Sequence, residues 1–350
     1  MSIAPFNRGF RKDSHFPPID GTGVRLKPTA GMQAPENLDT GMTSEAVPAD
    51  IRVGVVIASL GRSAECADIL EALRNQSVKP SVIAMSVEKA GDLPGNLTDD
   101  IRVVMGPRGL CAQRNRGVAL VRESCDVIVF FDDDFIPTSR SIEGLSRLFG
   151  AFPEIVGATG HVIADGVGQG GVSREAALQL VAAYDAEVPC PPVPEPGQAI
   201  VTAYGCNMAF RVTAMANVAF DERLPLYGWQ EDVDYAGQIS RYGTIVKTTE
   251  FGGVHRGVTS SRTPGARLGF SQIVNPIYLA RKGSMRWGHA ARIMAGNVVA
   301  NHLKLVRPEP HIDRAGRARG NWIALGHILS GRLEPEAMLL IDQGGGRARG

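Results

Sequence analysis

Between residues 51 and 131 the chain alternates short apolar segments with segments of helical period, and few folds accommodate that pattern. Residues 53–59 and 82–87 read as buried strands, and residues 63–76 place apolar side chains at helical spacing between them. The alternation predicts a mainly parallel sheet covered by helices on both faces. We therefore expect a Rossmann-like α/β fold, whose ligands collect outside the carboxyl ends of the strands.

Charge and cysteine content argue against several classes of protein. The 37 basic and 36 acidic residues leave a formal charge of +1, so no global field is present to hold nucleic acid. The five cysteines are scattered and never in CxxC spacing, unlike a disulfide framework or a zinc knuckle. The sequence shows neither a secretory signal nor a window of about 18 apolar residues. We expect a cytoplasmic protein that does not bind nucleic acid.

Three regions are expected along the chain. Residues 1–50 are rich in Pro, Gly, Asp and Thr without helical or strand period, and we predict an N-terminal arm. Residues 51–265 carry the α/β pattern, and residues 266–350 read as a helical C-terminal extension. Within the extension, residues 284–307 mix apolar and basic side chains. That mixture favours either peripheral contact with the inner face of an anionic membrane or packing against the α/β domain.

The most informative motif is a run of three aspartates directly after the apolar segment 126–131. Adjacent carboxylates repel one another and disfavour strand structure, so they must lie at the exposed end of a core strand. Strand alternation puts Asp132 and Asp134 on one face and Asp133 on the other. Paired carboxylates there predict a site for Mn²⁺ or Mg²⁺, with an acidic loop or a weak calcium site as the alternative.

A second acidic motif, Glu231 and Asp232, precedes a segment with a buried helical stripe. We predict a helix that starts near Gln230, which places both acids in its first turn. The helix dipole favours negative charge there, so an ordinary capping pair is one interpretation. The other interpretation is a catalytic pair, because attack by a hydroxyl group requires a base.

Together these motifs resemble glycosyltransferase family 2, whose members are inverting enzymes of GT-A fold. The resemblance covers about residues 52–260 and rests on SLGR after the first strand, RNRG, DDD, WQEDVDY and a later HRG. Each motif is short, but their order and spacing together are specific. The resemblance implies transfer of a sugar, with inversion, from a nucleotide sugar to a carbohydrate or lipid-linked acceptor. It also implies a role in polysaccharide or glycoconjugate synthesis.

The resemblance assigns roles to individual residues of the two acidic motifs. The metal ligands it implies are Asp132, Asp134 and His255. Asp232 would be the base that takes the proton of the acceptor hydroxyl, and Glu231 would contact acceptor hydroxyls. Trp229 resembles an aromatic platform under the acceptor sugar, with burial in the core as the alternative.

The remaining implied residues would contact the donor nucleotide or its phosphates. They are Arg62, Glu88, Arg114, Asn115, Asp133 and Arg256. Glu88 or Asp92 would replace an aspartate that family members often carry after the second strand, so the identity of the nucleotide stays open. Arg114 and Asn115 have an alternative interpretation as a surface pair at the front of a helix.

Two other functions compete with a glycosyltransferase. A sugar nucleotidyltransferase also uses acidic metal ligands on an α/β sheet, but the Gly-rich basic loop that it carries near its N-terminus is missing here. A non-catalytic, metal-dependent carbohydrate-binding protein would need the aspartate cluster but not Asp232. The role of Asp232 therefore separates an enzyme from a binding protein.

Overall fold

The computed structural model describes residues 51–95, 97–167, 169–188, 193–258, 264–310 and 312–341. The predicted N-terminal arm, residues 1–50, lies outside the described residues, as do the last nine residues of the predicted extension. All described residues belong to one unit, residues 47–350, which contains both the α/β region and the helices that follow it.

The described residues form nine strands and eight α-helices. The strands are β1 (Val53–Ala58), β2 (Val82–Val87), β3 (Ile101–Met105), β4 (Val127–Asp132), β5 (Phe135–Pro137), β6 (Ile155–Asp165), β7 (Gln198–Ile200), β8 (Asn207–Arg211) and β9 (Thr244–His255). The helices are α1 (Ser63–Arg74), α2 (Leu110–Val121), α3 (Ser141–Ala151), α4 (Arg174–Glu187), α5 (Glu231–Ile239), α6 (Gly265–Lys282), α7 (Trp287–Leu303) and α8 (Arg314–Leu329).

All nine strands belong to one sheet in the order β3-β2-β1-β4-β8-β6-β9-β5, and β7 pairs with β9. The four strands from β1 to β4 pair in parallel, as the βα alternation predicts. Beyond β4 the sheet is mixed, because β8 runs antiparallel to both β4 and β6 while β6 and β9 are parallel. The predicted α/β fold class is confirmed.

The central strands are buried on both faces, which explains why they read as continuous apolar runs. On β4, Ile128 and Phe130 belong to a core cluster that includes side chains of α2 and α5. Val129 and Phe131 point the other way, into a cluster with α1 and α3. Strand alternation therefore builds two cores, and helices cover both faces of the sheet as predicted.

The helical extension connects to the α/β region through α6. Leu279 near the end of α6 packs in the core shared with α2 and α5, while Phe270 and Val274 pack with α8. The approach of α6 to α8 is close, because a Cβ atom at Gly320 would lie 2.1 Å from the carbonyl oxygen of Ala266. No helix among the described residues is long and apolar enough to cross a membrane.

Candidate active site

One edge of the sheet brings together the ends of six strands. The carboxyl ends of β1, β4, β6 and β9 lie there, because these four strands run in the same direction. The amino ends of β8 and β5 lie at the same edge, because β8 is antiparallel to β4 and β5 is antiparallel to β9. Every residue of the candidate site is placed by this convergence or by the helices beside it.

The three aspartates form the turn between β4 and β5. Asp132 ends β4, and the chain then enters β5, where Phe135 pairs with His255 at the end of β9. That register places the imidazole Nε2 of His255 3.4 Å from Oδ1 of Asp134 and 3.8 Å from Oδ2 of Asp132. Ligand atoms of these three residues all lie within 4.8 Å of one another, so the predicted metal ligands come together.

His255 is held from its other ring nitrogen. Its Nδ1 lies 3.2 Å from Oδ1 of Asp165, and the hydroxyl group of Tyr204 donates to the second oxygen of Asp165 at 2.7 Å. Burial alone would lower the pKa of His255, but Cys206 and the carboxyl groups of Asp134 and Asp165 raise it well above its usual value. The imidazole is therefore fixed in orientation between two carboxylates.

Asp133 points away from this triad, as strand alternation predicts. Its carboxylate accepts hydrogen bonds from the hydroxyl group of Ser59 at 2.6 Å and from the guanidinium group of Arg62 at 2.8 Å. Arg62 also donates to the carbonyl oxygen of Val258 at 2.9 Å. The two residues therefore connect the loop after β1, the aspartate turn and the segment after β9.

Arg114 joins the two acidic motifs. Its side chain is 3% exposed, so it is not the surface residue of the alternative interpretation. One terminal nitrogen donates to Glu231 at 2.6 Å, and the other donates to Asp132 at 3.0 Å and to the carbonyl oxygen of Gly205 at 2.9 Å. A single buried cation thus brings the catalytic pair predicted from one motif next to the metal ligands predicted from the other.

Glu231 and Asp232 begin α5, close to where the sequence predicts a helix start. Burial raises the pKa of Asp232 above its usual value. Its hydrogen bonds from the backbone N–H groups of Gly205 at 3.0 Å and Val233 at 2.8 Å oppose that rise, because they favour the ionised form. Burial and the neighbouring charge of Asp232 raise the pKa of Glu231 well above its usual value. Oε2 of Glu231 is buried and has no partner among the described residues. The pair therefore has hydrogen-bonding capacity left for a ligand.

The loop before α5 is conformationally unusual. Leu226 and Gln230 are the only non-glycine residues with positive φ in the described part of the chain, at 57° and 75°. The carbonyl oxygen of half-buried Trp229 between them accepts a hydrogen bond from Asn275 of α6. Such backbone conformations persist only where surrounding contacts impose them, and they are common at functional sites.

Two predicted donor-binding residues have other partners. The side-chain amide of Asn115 donates to the carbonyl oxygen of Phe220 and accepts from its backbone N–H group. Neighbouring residues on a helix point about 100° apart, so Asn115 is turned away from the site that Arg114 faces. Arg256 forms an ion pair with Asp68 of α1 at 2.9 Å. Glu88 directly follows β2 and is half-buried.

Several site residues were not predicted from the sequence, namely Ser59, Asp165, Tyr204 and Gly205. Asp165 had a readable signal, because it ends an apolar strand in the same way as Asp132. Tyr204 and Gly205 lie just before the amino end of β8, which reaches the site because β8 is antiparallel to β4. The sequence reasoning considered only the carboxyl ends of strands and therefore missed them.

Comparisons with known proteins leave the family open. No protein-family model matches the sequence, and no curated protein matches it. Among solved structures, residues 1–349 of S. aureus TarS are similar at 10% identity, with 80% of each chain covered and a TM-score of 0.48. The mannosyltransferase PcManGT from Pyrobaculum calidifontis, solved with GDP-Man and Mn²⁺, is 13% identical over 85% of this chain and 81% of its own, with a TM-score of 0.43. GalNAc-T7, solved with UDP, GalNAc and Mn²⁺, is 12% identical over 83% of this chain and 56% of its own, with a TM-score of 0.46.

Proposed function

We propose that this protein is a metal-dependent glycosyltransferase of GT-A type. It transfers a sugar from a nucleoside-diphosphate sugar to a hydroxyl group of a carbohydrate or lipid-linked acceptor, in polysaccharide or glycoconjugate synthesis. The observation that carries the proposal is the position of Arg114, which binds Asp132 on one side and Glu231 on the other. A metal-type ligand set and an acid pair therefore lie side by side, as a reaction between two bound substrates requires.

The first acidic motif has the chemistry of a site for a divalent cation. Two carboxylates and an imidazole suit Mn²⁺, and a carboxylate on the far nitrogen of the imidazole, here Asp165, is the usual outer contact of a metal-binding histidine. We assign Asp132, Asp134 and His255 as the ligands of Mn²⁺ or Mg²⁺. When bound, the cation supplies positive charge beside the diphosphate group of the donor.

The second acidic motif supplies the base. Asp232 accepts the proton of the acceptor hydroxyl as the oxygen of that group attacks the anomeric carbon of the donor. The new carbon–oxygen bond forms while the bond from that carbon to the diphosphate breaks, and the nucleoside diphosphate leaves with the electron pair. One displacement of this kind inverts the anomeric configuration. Glu231, which directly precedes Asp232, contacts the acceptor, as does Trp229 in the loop before them.

The donor contacts that we retain are Arg62, Glu88 and Asp133, which follow or end the parallel strands β1, β2 and β4, and Arg114 of α2, which binds Asp132. Asn115 and Arg256 are not retained, because their partners Phe220 and Asp68 belong to neither acidic motif.

The test is thermal unfolding with a panel of nucleotide sugars, with and without Mn²⁺. A ligand that binds the folded state raises its stability by mass action, so a matching donor should raise the unfolding temperature only when Mn²⁺ is present. Asp134→Asn should abolish that shift. Asp126→Asn is the matched control, because Asp126 directly precedes β4 and lies at the opposite end of it from the site.

Analysis of the reaction products distinguishes the rival functions. Release of nucleoside diphosphate on addition of acceptor supports the transferase. Formation of pyrophosphate from a nucleoside triphosphate and a sugar phosphate would indicate a nucleotidyltransferase, and binding without turnover would indicate a binding protein. A shift that is unchanged in Asp134→Asn would overturn the metal site.

A further inference from the structure

Helices α7 and α8 expose large apolar side chains. Leu303 is 72% exposed, Trp322 is 66% exposed and Leu329 is 89% exposed, and Val306 after α7 reaches 86%. Single exposed apolar residues are ordinary, but a concentration of them on neighbouring elements marks an interaction surface.

These side chains lie on adjoining helix faces. Val299 and Leu303 are one turn apart on α7, and Trp322, Leu325 and Leu329 recur every three or four residues on α8, so each set shares a face. The rings of His302 and Trp322 meet edge to face at 5.9 Å, which brings the end of α7 alongside α8. We call the exposed apolar residues from 299 to 329 the α7–α8 surface.

The charge around this surface is strongly positive. Between residues 287 and 332 the sequence has seven basic residues, Arg292, Lys304, Arg307, Arg314, Arg317, Arg319 and Arg332, and two acidic ones, Glu309 and Asp313. Glu309 pairs with Lys304 and with the buried Arg314, so this acid and these two cations offset one another. Five other basic residues then stand against Asp313, which caps α8. The net charge of the whole chain is only +1, so this basic excess is local.

We propose that the α7–α8 surface is the attachment site for an anionic phospholipid membrane. Exposed leucine, valine and tryptophan side chains enter the interfacial region of the bilayer, and the exposed Arg307 and Arg319 contact the phosphate groups of the lipids. The helices lie on the membrane rather than cross it.

Charge favours a membrane over the other apolar partner, a second copy of the chain. In a twofold-symmetric dimer the same surface meets itself, so the arginines that flank the apolar residues would face one another. An anionic lipid surface instead attracts those that are exposed, such as Arg307 and Arg319, by an energy equivalent to a factor of about five in binding per basic residue near the membrane.

The experiment is flotation of the full chain with vesicles of neutral phosphatidylcholine and with vesicles that also contain phosphatidylglycerol. We expect binding to the anionic vesicles that weakens as salt is added. Arg307→Gln combined with Arg319→Gln should lower the partition coefficient roughly 25-fold, about fivefold for each arginine. Leu303→Glu combined with Leu329→Glu should abolish binding.

The matched control is Val193→Glu, which adds the same charge at an apolar residue that is 70% exposed and lies outside α7 and α8. Thermal unfolding of each variant verifies that it is folded. Failure of the wild-type chain to bind anionic vesicles would overturn the proposal, as would equal binding by control and surface variants. A dimer in solution that Leu303→Glu dissociates would assign the surface to a second copy instead. None of these measurements uses a sugar or nucleotide, so their outcome is independent of the proposed enzymatic function.

Discussion

The part of the chain that the structure describes contains two acidic clusters that are largely buried, and their difference separates a candidate site from a structural contact. The site cluster has six carboxyl groups, from Asp132, Asp133, Asp134, Asp165, Glu231 and Asp232. Its basic groups are three, from Arg62, Arg114 and His255. The second cluster, near the junction of α5 and α6, has two carboxyl groups, from Asp221 and Asp234, and both bind Lys282.

Hydrogen bonding completes the second cluster. Asp234 is fully buried, and it accepts hydrogen bonds from Ser284 and Gln238 in addition to Lys282. Tyr278 donates to Asp221 at 2.8 Å. Every carboxylate of this cluster has the donors that burial demands, so the cluster stabilises the contact between α5 and α6 without a further ligand.

The site cluster is not balanced in this way. Its carboxyl groups outnumber its cationic groups two to one, and Oε2 of Glu231 is buried without a partner among the described residues. A buried carboxyl group without a cationic partner either keeps its proton, as the raised pKa of Glu231 indicates, or needs a cation or a ligand to join it. The difference teaches that excess charge, rather than acidity alone, distinguishes a binding site.

The largest effect is expected for Asp232→Asn. Asparagine keeps the shape of the side chain and one of the two backbone hydrogen bonds that Asp232 accepts, because its amide nitrogen cannot accept the other. It cannot take up the proton of the acceptor, so turnover should fall by roughly 10²- to 10⁴-fold while donor affinity persists. The measurement is kcat at saturating donor and acceptor beside the dissociation constant of the donor. Near-normal kcat would assign the role of the base to Glu231. The other acid nearby in the chain, Asp234, is not available because it already binds Lys282 and Ser284.

The next largest effect is expected for Lys282→Met, which should lower the free energy of unfolding without affecting the candidate site. The change leaves the buried Asp234 without its cation, and breaking such a pair costs about 3 kcal/mol, the lower end of the usual range, since Lys282 is 27% exposed. Urea unfolding measures the change, and Lys282→Arg is the control that keeps the charge. Mn²⁺ affinity should be unchanged in folded protein, and a loss of Mn²⁺ binding as large as the loss of stability would show that the two clusters are not separate.

The smallest effect is expected for Asp165→Asn. Loss of the carboxylate behind a metal-binding histidine typically weakens metal affinity by about 10- to 100-fold, because the orientation and basicity of the imidazole are less well maintained. Titration calorimetry with Mn²⁺ measures this, with Asp126→Asn as the control. Unaltered affinity would mean that His255 does not bind the metal or does not depend on Asp165.

The α/β class and much of the site were readable from local patterns. The alternation of strands and helices predicted helices on both faces of a sheet, and it did so because periodicity reports burial directly. The aspartate triplet and the acid pair were found as motifs because each is contiguous in sequence, whereas the metal-ligand role of His255 came only from the family resemblance. The antiparallel entry of β8 was not predicted, because strand direction beyond β4 depends on pairing between distant segments.

By itself, the sequence determined that three carboxylates end a buried strand and that two more begin a helix, because both statements depend only on neighbouring residues. It could not determine that these motifs meet, since Arg114, which binds Asp132, lies 117 positions before its other partner, Glu231. Nor could it distinguish the roles of the adjacent residues Arg114 and Asn115. In the structure, Arg114 of α2 faces the site, whereas Asn115 binds Phe220. Tertiary structure decided both, because contacts across the sheet and the rotation of α2 are set by how the whole chain packs.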